Sequence, residues 1–231
     1  MATRPIFIPI IEGQAGVNIK MLEFKWHPGM AVSQKQKSIR ELHATALAIN
    51  IQPVLEISSK SESDLGVRLS AFNLKVITKV KHREFSVESA FQSSKVFERG
   101  GPYTDLLDVD SRQAKKDSRL KASGNLICFK FFGKEYPLTP RTSFYDWLYI
   151  NALQQNLDLA DQLINYNGFT DVEFNPERSI NCQAYSAALY SSLKKTGLLS
   201  KALEEPDTFI NILAEEYRKK DKNISIQKGL L

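Results

Sequence analysis

The chain has 231 residues, 42% hydrophobic and 25% charged, a balance that excludes global disorder and fits one sizeable core. Lys and Arg outnumber Asp and Glu by 31 to 26, and the net charge of +5 is a mild basic excess that suits phosphate-rich ligands or nucleic acid. Two cysteines without CxxC spacing and three histidines without HxxxH or HExxH spacing argue against a disulfide scaffold, a thiolate zinc site and a His-based metal centre, though not against a carboxylate-bound ion; neither a transition metal nor a cofactor is expected.

The opening MATRPIFIPIIEGQ has only a short apolar patch, interrupted by Pro9 and ended by Glu12. It fits neither a signal peptide nor a membrane span, so a cytoplasmic protein without a membrane partner is expected. IKMLEFKW reads as a strand, broken by Pro28-Gly29. From Gln34 to Asn50, apolar residues recur at helical spacing, and Pro53 lies just beyond. PVLEIS, residues 53 to 58, is extended again. The polar SSKSESDLG at 58 to 66 marks the junction between an N-terminal α/β flank, 1–65, packed on the core, and the main body, 66–205.

FSVESAFQSSKVF, residues 85 to 97, has helix signals at both ends: Ser86 can cap it, and Gly100, Gly101 and Pro102 follow. Glu88, Phe91, Gln92 and Lys95 fall at i, i+3, i+4 and i+7, on one helical stripe. Patterning alone allows a solvated charged face or a ligand-facing one. A polar connection follows, in which Arg112 to Leu120 is a charged helix, and LICFKFFGKEYPL then reads as a hairpin turning near Gly133 and Lys134. SFYDWLYINALQQNLDLADQLINY predicts two helices bent near Asn156, and NCQAYSAALYSSLKKTG a helix stopped by Gly197. Residues 206–231 form a C-terminal helix and basic tail, with Arg218, Lys219, Lys220 and Lys222 in a solvated run. No repeat, GxGxxG or P-loop occurs, which removes Rossmann and P-loop functions. The fold class is α+β, predominantly α-helical.

LSAFNL at 69 to 74, ESAFQSSKVF at 88 to 97, YDW at 145 to 147 and FTDVEFNPERSINCQA at 169 to 184, in that order, resemble the NADAR family. The match spans about residues 66 to 196. Ala71 stands where an asparagine is usual, and SINCQA replaces a common Trp-Gly element. The N-terminal QKQKSIRELH and LEISSKS, with ERGGPYTDLL and NPERSINCQA, are similar to the branch encoded beside DarT-type toxins. The resemblance implies a NADAR-like catalytic core at 66–205. It also implies an antitoxin that hydrolyses ADP-ribose from guanine bases in DNA, where a DarT-type toxin attaches it. The partners would then be ADP-ribosylated DNA, ADP-ribose and the toxin, with direct toxin binding left open. Other branches act on N-glycosidic bonds in phosphorylated riboflavin-pathway intermediates, and a non-catalytic antitoxin that binds the toxin or covers modified DNA is a third reading.

In that family context Lys95, if neutral, can form a Schiff base with the ribosyl carbon, or else serve as a charged donor to sugar or phosphate. Glu88 moves protons or stabilises the developing cation. Its charge raises the lysine's pKa, so desolvation has to outweigh it for the first role. Gln92 suits a ribose hydroxyl. Phe72 and Trp147 either sandwich a base or pack in the core. Asp146 either supports the first turn of its helix or orients Lys95 or a ribose. Asn73 is a ligand contact or a turn residue. Glu173 and Asn181 lie in a polar loop, and Asp171 shares a face with Glu173 if the stretch is extended. Arg178 pairs with a pyrophosphate or with a surface acid.

Overall fold

The computed structural model describes residues 1–78, 82–177 and 179–220. The architecture is α+β, with more helix than strand. Strands β1 (Ala2–Pro9) and β2 (Val17–Phe24) form an antiparallel pair, helix α1 (Val32–Ala48) follows, and β3 (Val54–Glu56) joins the same sheet. Short elements come next: α2 (Asp64–Arg68), β4 (Lys75–Ile77), β5 (Glu84–Ser86), α3 (Val87–Ser93) and β6 (Lys95–Phe97). Beyond a 3-10 turn at Thr104–Asp108 lie α4 (Ser111–Lys116), α5 (Arg119–Ala122), β7 (Leu126–Phe131) and β8 (Lys134–Tyr136). Helices α6 (Ser143–Gln155) and α7 (Leu157–Leu163), strand β9 (Gly168–Thr170) and helices α8 (Gln183–Lys195), α9 (Leu199–Ala202) and α10 (Pro206–Ile212) complete the order, before a last helical stretch over 214–220.

The largest sheet has the order β2-β1-β9-β3, so β9 is inserted between two strands of the first sixty residues. It runs parallel to β3 and antiparallel to β1. Side chains alternate across the sheet. Ile6, Leu22 and Phe24 pack with Ile39, Leu42 and Ala46 of α1, while Phe7, Val17 and Phe169 join the main core with Tyr185 and Leu189 of α8. The proposed junction at 58 to 66 is therefore crossed by a shared sheet.

Several elements agree with the sequence reading, including the bend at Asn156, the stop at Gly197 and the β7–β8 hairpin. Three differ. The opening segment is a strand despite Pro5 and Pro9, because β9 pairs with β1 only near Phe7 and leaves the rest of that edge without need of N–H donors. The charged helix from Arg112 is two helices, broken where the Asp117 carboxylate accepts from Arg119 N at 2.9 Å. Helix α3 ends at Ser93, so Lys95 opens strand β6. The basic tail is also less solvated than expected: Lys220 folds back, its ammonium 2.9 Å from Thr142 Oγ1 and 3.5 Å above the Tyr185 ring. Lys222 lies outside the described residues.

Candidate active site

Helix α3 is buried at all seven positions, so it is not a surface helix. Its polar side chains are satisfied locally. Ser86 caps it by accepting from Ser89 N at 2.9 Å, and Ser93 Oγ donates to Ala90 O. Glu88, 5% exposed, accepts at Oε1 from Gln92 Nε2 at 2.8 Å, and Gln92 Oε1 in turn accepts from Lys95 Nζ at 2.8 Å. Only one orientation of the amide serves both partners, oxygen to the ammonium and NH₂ to the carboxylate. Acid and amine are thus joined through Gln92 although one is on a helix and the other on a strand. Gly101, at φ +87, makes room for this crossing, since a Cβ there would lie 2.3 Å from the Lys95 carbonyl oxygen.

Lys95 Nζ lies 4.8 Å over the Phe91 ring. Burial lowers its pKa to about 8, against the upward pull of Glu88 and with help from the positive charge of Lys115. Desolvation outweighs the carboxylate. Lys115 is close to both parts of the site, 3.6 Å from Glu88 Oε1 and 5.0 Å over the Phe72 ring.

Lys115 also lines a cleft of about 980 Å³, together with Lys60, Arg112 and Lys116. Of the residues expected from sequence, Phe72, Asn73 and Glu173 line this cleft, and Glu88, Gln92 and Lys95 adjoin it through Lys115. Asn73 Nδ2 donates to Val67 O, and Glu173 pairs with Lys35 at 3.0 Å. The others are elsewhere. Asp146 is fully buried, its carboxylate held by Thr142 and Ser186 hydroxyls at 2.7 and 2.6 Å and by Tyr217 at 3.3 Å, with the Lys220 ammonium at 3.8 Å, so it braces the helix start and does not line the cleft. Trp147 packs 5.5 Å from Tyr136 rather than opposite Phe72. Asn181 does not line the cleft; its carbonyl accepts from Ser179 Oγ. Arg178 lies outside the described residues.

Asp171 belongs to a buried network that the sequence reading missed in part. Glu56 accepts from Thr170 Oγ1 at 2.7 Å and Val172 N at 2.9 Å, and His43 Nε2 lies 2.9 Å from the same Thr170 hydroxyl. Burial lowers the His43 pKa to about 4, so its ring is neutral at pH 7. Gln183 donates to Asp171 Oδ2 and Ile57 O and accepts from Ala71 N, whose carbonyl holds Glu88 N at 2.8 Å. The signal for Glu56 was one carboxylate inside the apolar run VLEI. Tyr145 was also missed: it is 5% exposed, its ring stands edge-on to Phe91 at 5.1 Å, and its hydroxyl has no hydrogen-bond partner among the described residues. Burial, then the charge of Glu88, pushes its pKa well up, which keeps it a neutral phenol.

Burial raises the pKa of both network carboxyls, Asp171 to about 7, with the neighbouring Glu56 charge adding to the rise. Through these two carboxyls the folded state binds protons that the unfolded chain releases near pH 4, and their contribution to stability is lost as pH rises from about 4 to about 7, while His43, lowered to about 4, acts in the opposite direction up to its ordinary value near 6.5. Acids held low by Arg119, namely Asp105 and Asp117, act below that window. Glu56→Gln, which leaves the His43 contribution in place, is expected to raise the thermal midpoint relative to wild type by more at pH 8 than at pH 5. An equal difference between the two proteins at both pH values contradicts the assignment.

Among the described residues, no group of three or more His, Cys, Asp or Glu side chains is placed to hold a metal ion, and no helix is long and apolar enough to cross a membrane. No curated protein matches the chain. The family model described as DarT1-associated NADAR antitoxin matches residues 2–223. That is the family suggested by the ordered motifs from LSAFNL to SINCQA, and the match extends through the N-terminal sheet as well. The chain belongs to the family of DarT1-associated NADAR antitoxins.

Proposed function

We propose that this antitoxin is an ADP-ribosyl glycohydrolase that removes ADP-ribose from guanine bases in DNA. The observation that carries the reading is the Lys95–Gln92–Glu88 relay, in which burial brings the amine to a pKa of about 8. An amine in that range is partly neutral at physiological pH and has the lone pair that attack on carbon requires.

The reaction begins when the bond between the ribose C1″ and the ring oxygen breaks; the oxygen takes a proton and C1″ becomes doubly bonded to the guanine nitrogen. Lys95 Nζ adds to C1″ and gives up a proton. The C1″–guanine bond then breaks, the guanine amine leaves with a proton gained, and an imine to Lys95 remains. Water adds to that imine, the C1″–Nζ bond breaks, and the free aldehyde recloses as ADP-ribose. Glu88 carries the protons between these groups. Entry to Glu88 displaces the exposed Lys115 ammonium, which then sits beside the ligand. Lys60, Arg112 and Lys116 make no ion pair among the described residues and supply positive charge for the diphosphate, while Phe72 offers a ring face to a base.

The test is turnover. A catalytic amount of protein, incubated with an oligonucleotide carrying ADP-ribosyl guanine, is expected to release many equivalents of free ADP-ribose. Stoichiometric protection without release supports the binding antitoxin instead. The rate is expected to increase with pH as Lys95 loses its proton and to level off above about 8. A rate that drops through that range assigns the working form to the ammonium and removes the imine route.

A further inference from the structure

The β7–β8 hairpin turns on Phe132 and Gly133, both with positive φ, 46° and 82°. Two positive φ values are what a type I′ turn requires, and the favoured pair there is Asn-Gly, because a bulky side chain crowds its own backbone in the left-handed region. Phenylalanine at this place is 64% exposed, so the strain is not offset by burial of its own ring.

The ring is nevertheless held. Phe132 stacks on the buried Phe85 at 6.1 Å and 28°, and meets Phe131 nearly edge-on at 4.7 Å. Below it opens a second pocket of about 510 Å³, lined in part by Arg83, Asp105, Asp108 and Lys130. The two acids are already engaged, Asp108 by Arg83 at 2.5 Å and Asp105 by Arg119 at 2.6 Å. Lys130, opposite Glu135 in the hairpin register, makes no ion pair among the described residues and lines the same pocket as the exposed Phe132 ring, so a positive charge borders that pocket. A braced aromatic with an adjacent cation is the pairing by which proteins hold a base and its phosphate in single-stranded nucleic acid.

The position relative to the relay fits. Lys95 pairs in register with Phe129, and Phe132 lies three residues farther along the hairpin. At about 3.3 Å per residue that is about 10 Å, roughly three base steps at the rise of stacked DNA.

We infer that this second pocket receives a nucleobase of the DNA strand that carries the modified guanine, stacked on Phe132, with the adjoining phosphate on Lys130. The inference rests on the DNA reading of the function and adds to it a contact that separates a strand from a free nucleotide.

The experiment uses Phe132→Asn in the full chain, since Asn suits the left-handed turn better and the variant is expected to melt at the wild-type temperature or above. Anisotropy of a labelled, unmodified single-stranded oligonucleotide is expected to show affinity reduced about tenfold, within the range for loss of one stacked base. On the ADP-ribosylated oligonucleotide KM is expected to rise by a similar factor with kcat unchanged, while turnover of ADP-ribosylated guanosine stays at the wild-type value. Equal oligonucleotide affinity in the two proteins, no binding by the wild type, an equal loss on guanosine, or an effect confined to association with the toxin protein each overturns the inference. Because the anisotropy measurement needs no turnover, a wild-type enzyme that releases nothing refutes the glycohydrolase reading separately.

Discussion

Lys95→Met is expected to stop release of ADP-ribose, a fall on the order of 10³-fold or more, because it removes the amine that bonds to C1″ in the proposed route. Methionine keeps the length of the chain and its packing on Phe91, where a thioether is a favourable neighbour for an aromatic ring. It also removes an ammonium that burial destabilises, so the fold is expected to hold. The decisive readout is covalent. Borohydride added during turnover reduces the imine to a stable secondary amine, and intact-mass analysis is expected to find the added sugar on the wild type, at Lys95 after digestion, and none on Lys95→Met. Wild-type rates in the variant, or trapping at another lysine, would show that the nucleophile has been misassigned.

Glu88→Gln is expected to lower kcat by about 10² to 10⁴, the usual contribution of a positioned proton carrier. The amide keeps an oxygen for Gln92 Nε2 and nearly the same volume, so the loss is one of charge and proton affinity rather than packing. A second consequence distinguishes this from simple damage. Glu88 is the group that raises the Lys95 pKa, and without it burial and Lys115 act unopposed. The rising limb of the residual activity is expected to move to lower pH than in the wild type. A variant that loses activity with its pH profile unmoved places Glu88 outside the electrostatic reach of the amine.

Much of this was legible before any coordinates, and the exceptions have physical causes. The capping serine at 86 and the i, i+4 pair of Glu88 and Gln92 were read from local rules, since a cap and a helical turn are set by neighbours in sequence. Lys95 is expected on the same helical stripe as Gln92, but its side chain reaches Gln92 from the first residue of a strand, and spacing alone does not distinguish that from the next helical turn. Lys115 was hidden in a charge run whose default is solvent, and only the approach of α4 to α3 brings it to Glu88. Strand β9 is three residues long, GFT, too short for any periodicity to register. Asp146 and Trp147, beside each other in a motif, turned out to serve the helix start and the hairpin, because a buried aromatic next to an acid reads the same whether it faces a ligand or a core.

That short strand has a bearing on how the molecule comes into being. Val54 finds its sheet neighbour at Gly168, and the Glu56 carboxylate, which Ser58 reaches locally, takes its further partners from Thr170 and Val172. During synthesis the amino-terminal hairpin must wait, its inner edge bare, until most of the polypeptide has left the ribosome. The largest sheet is therefore closed only once residues 168–170 have been made.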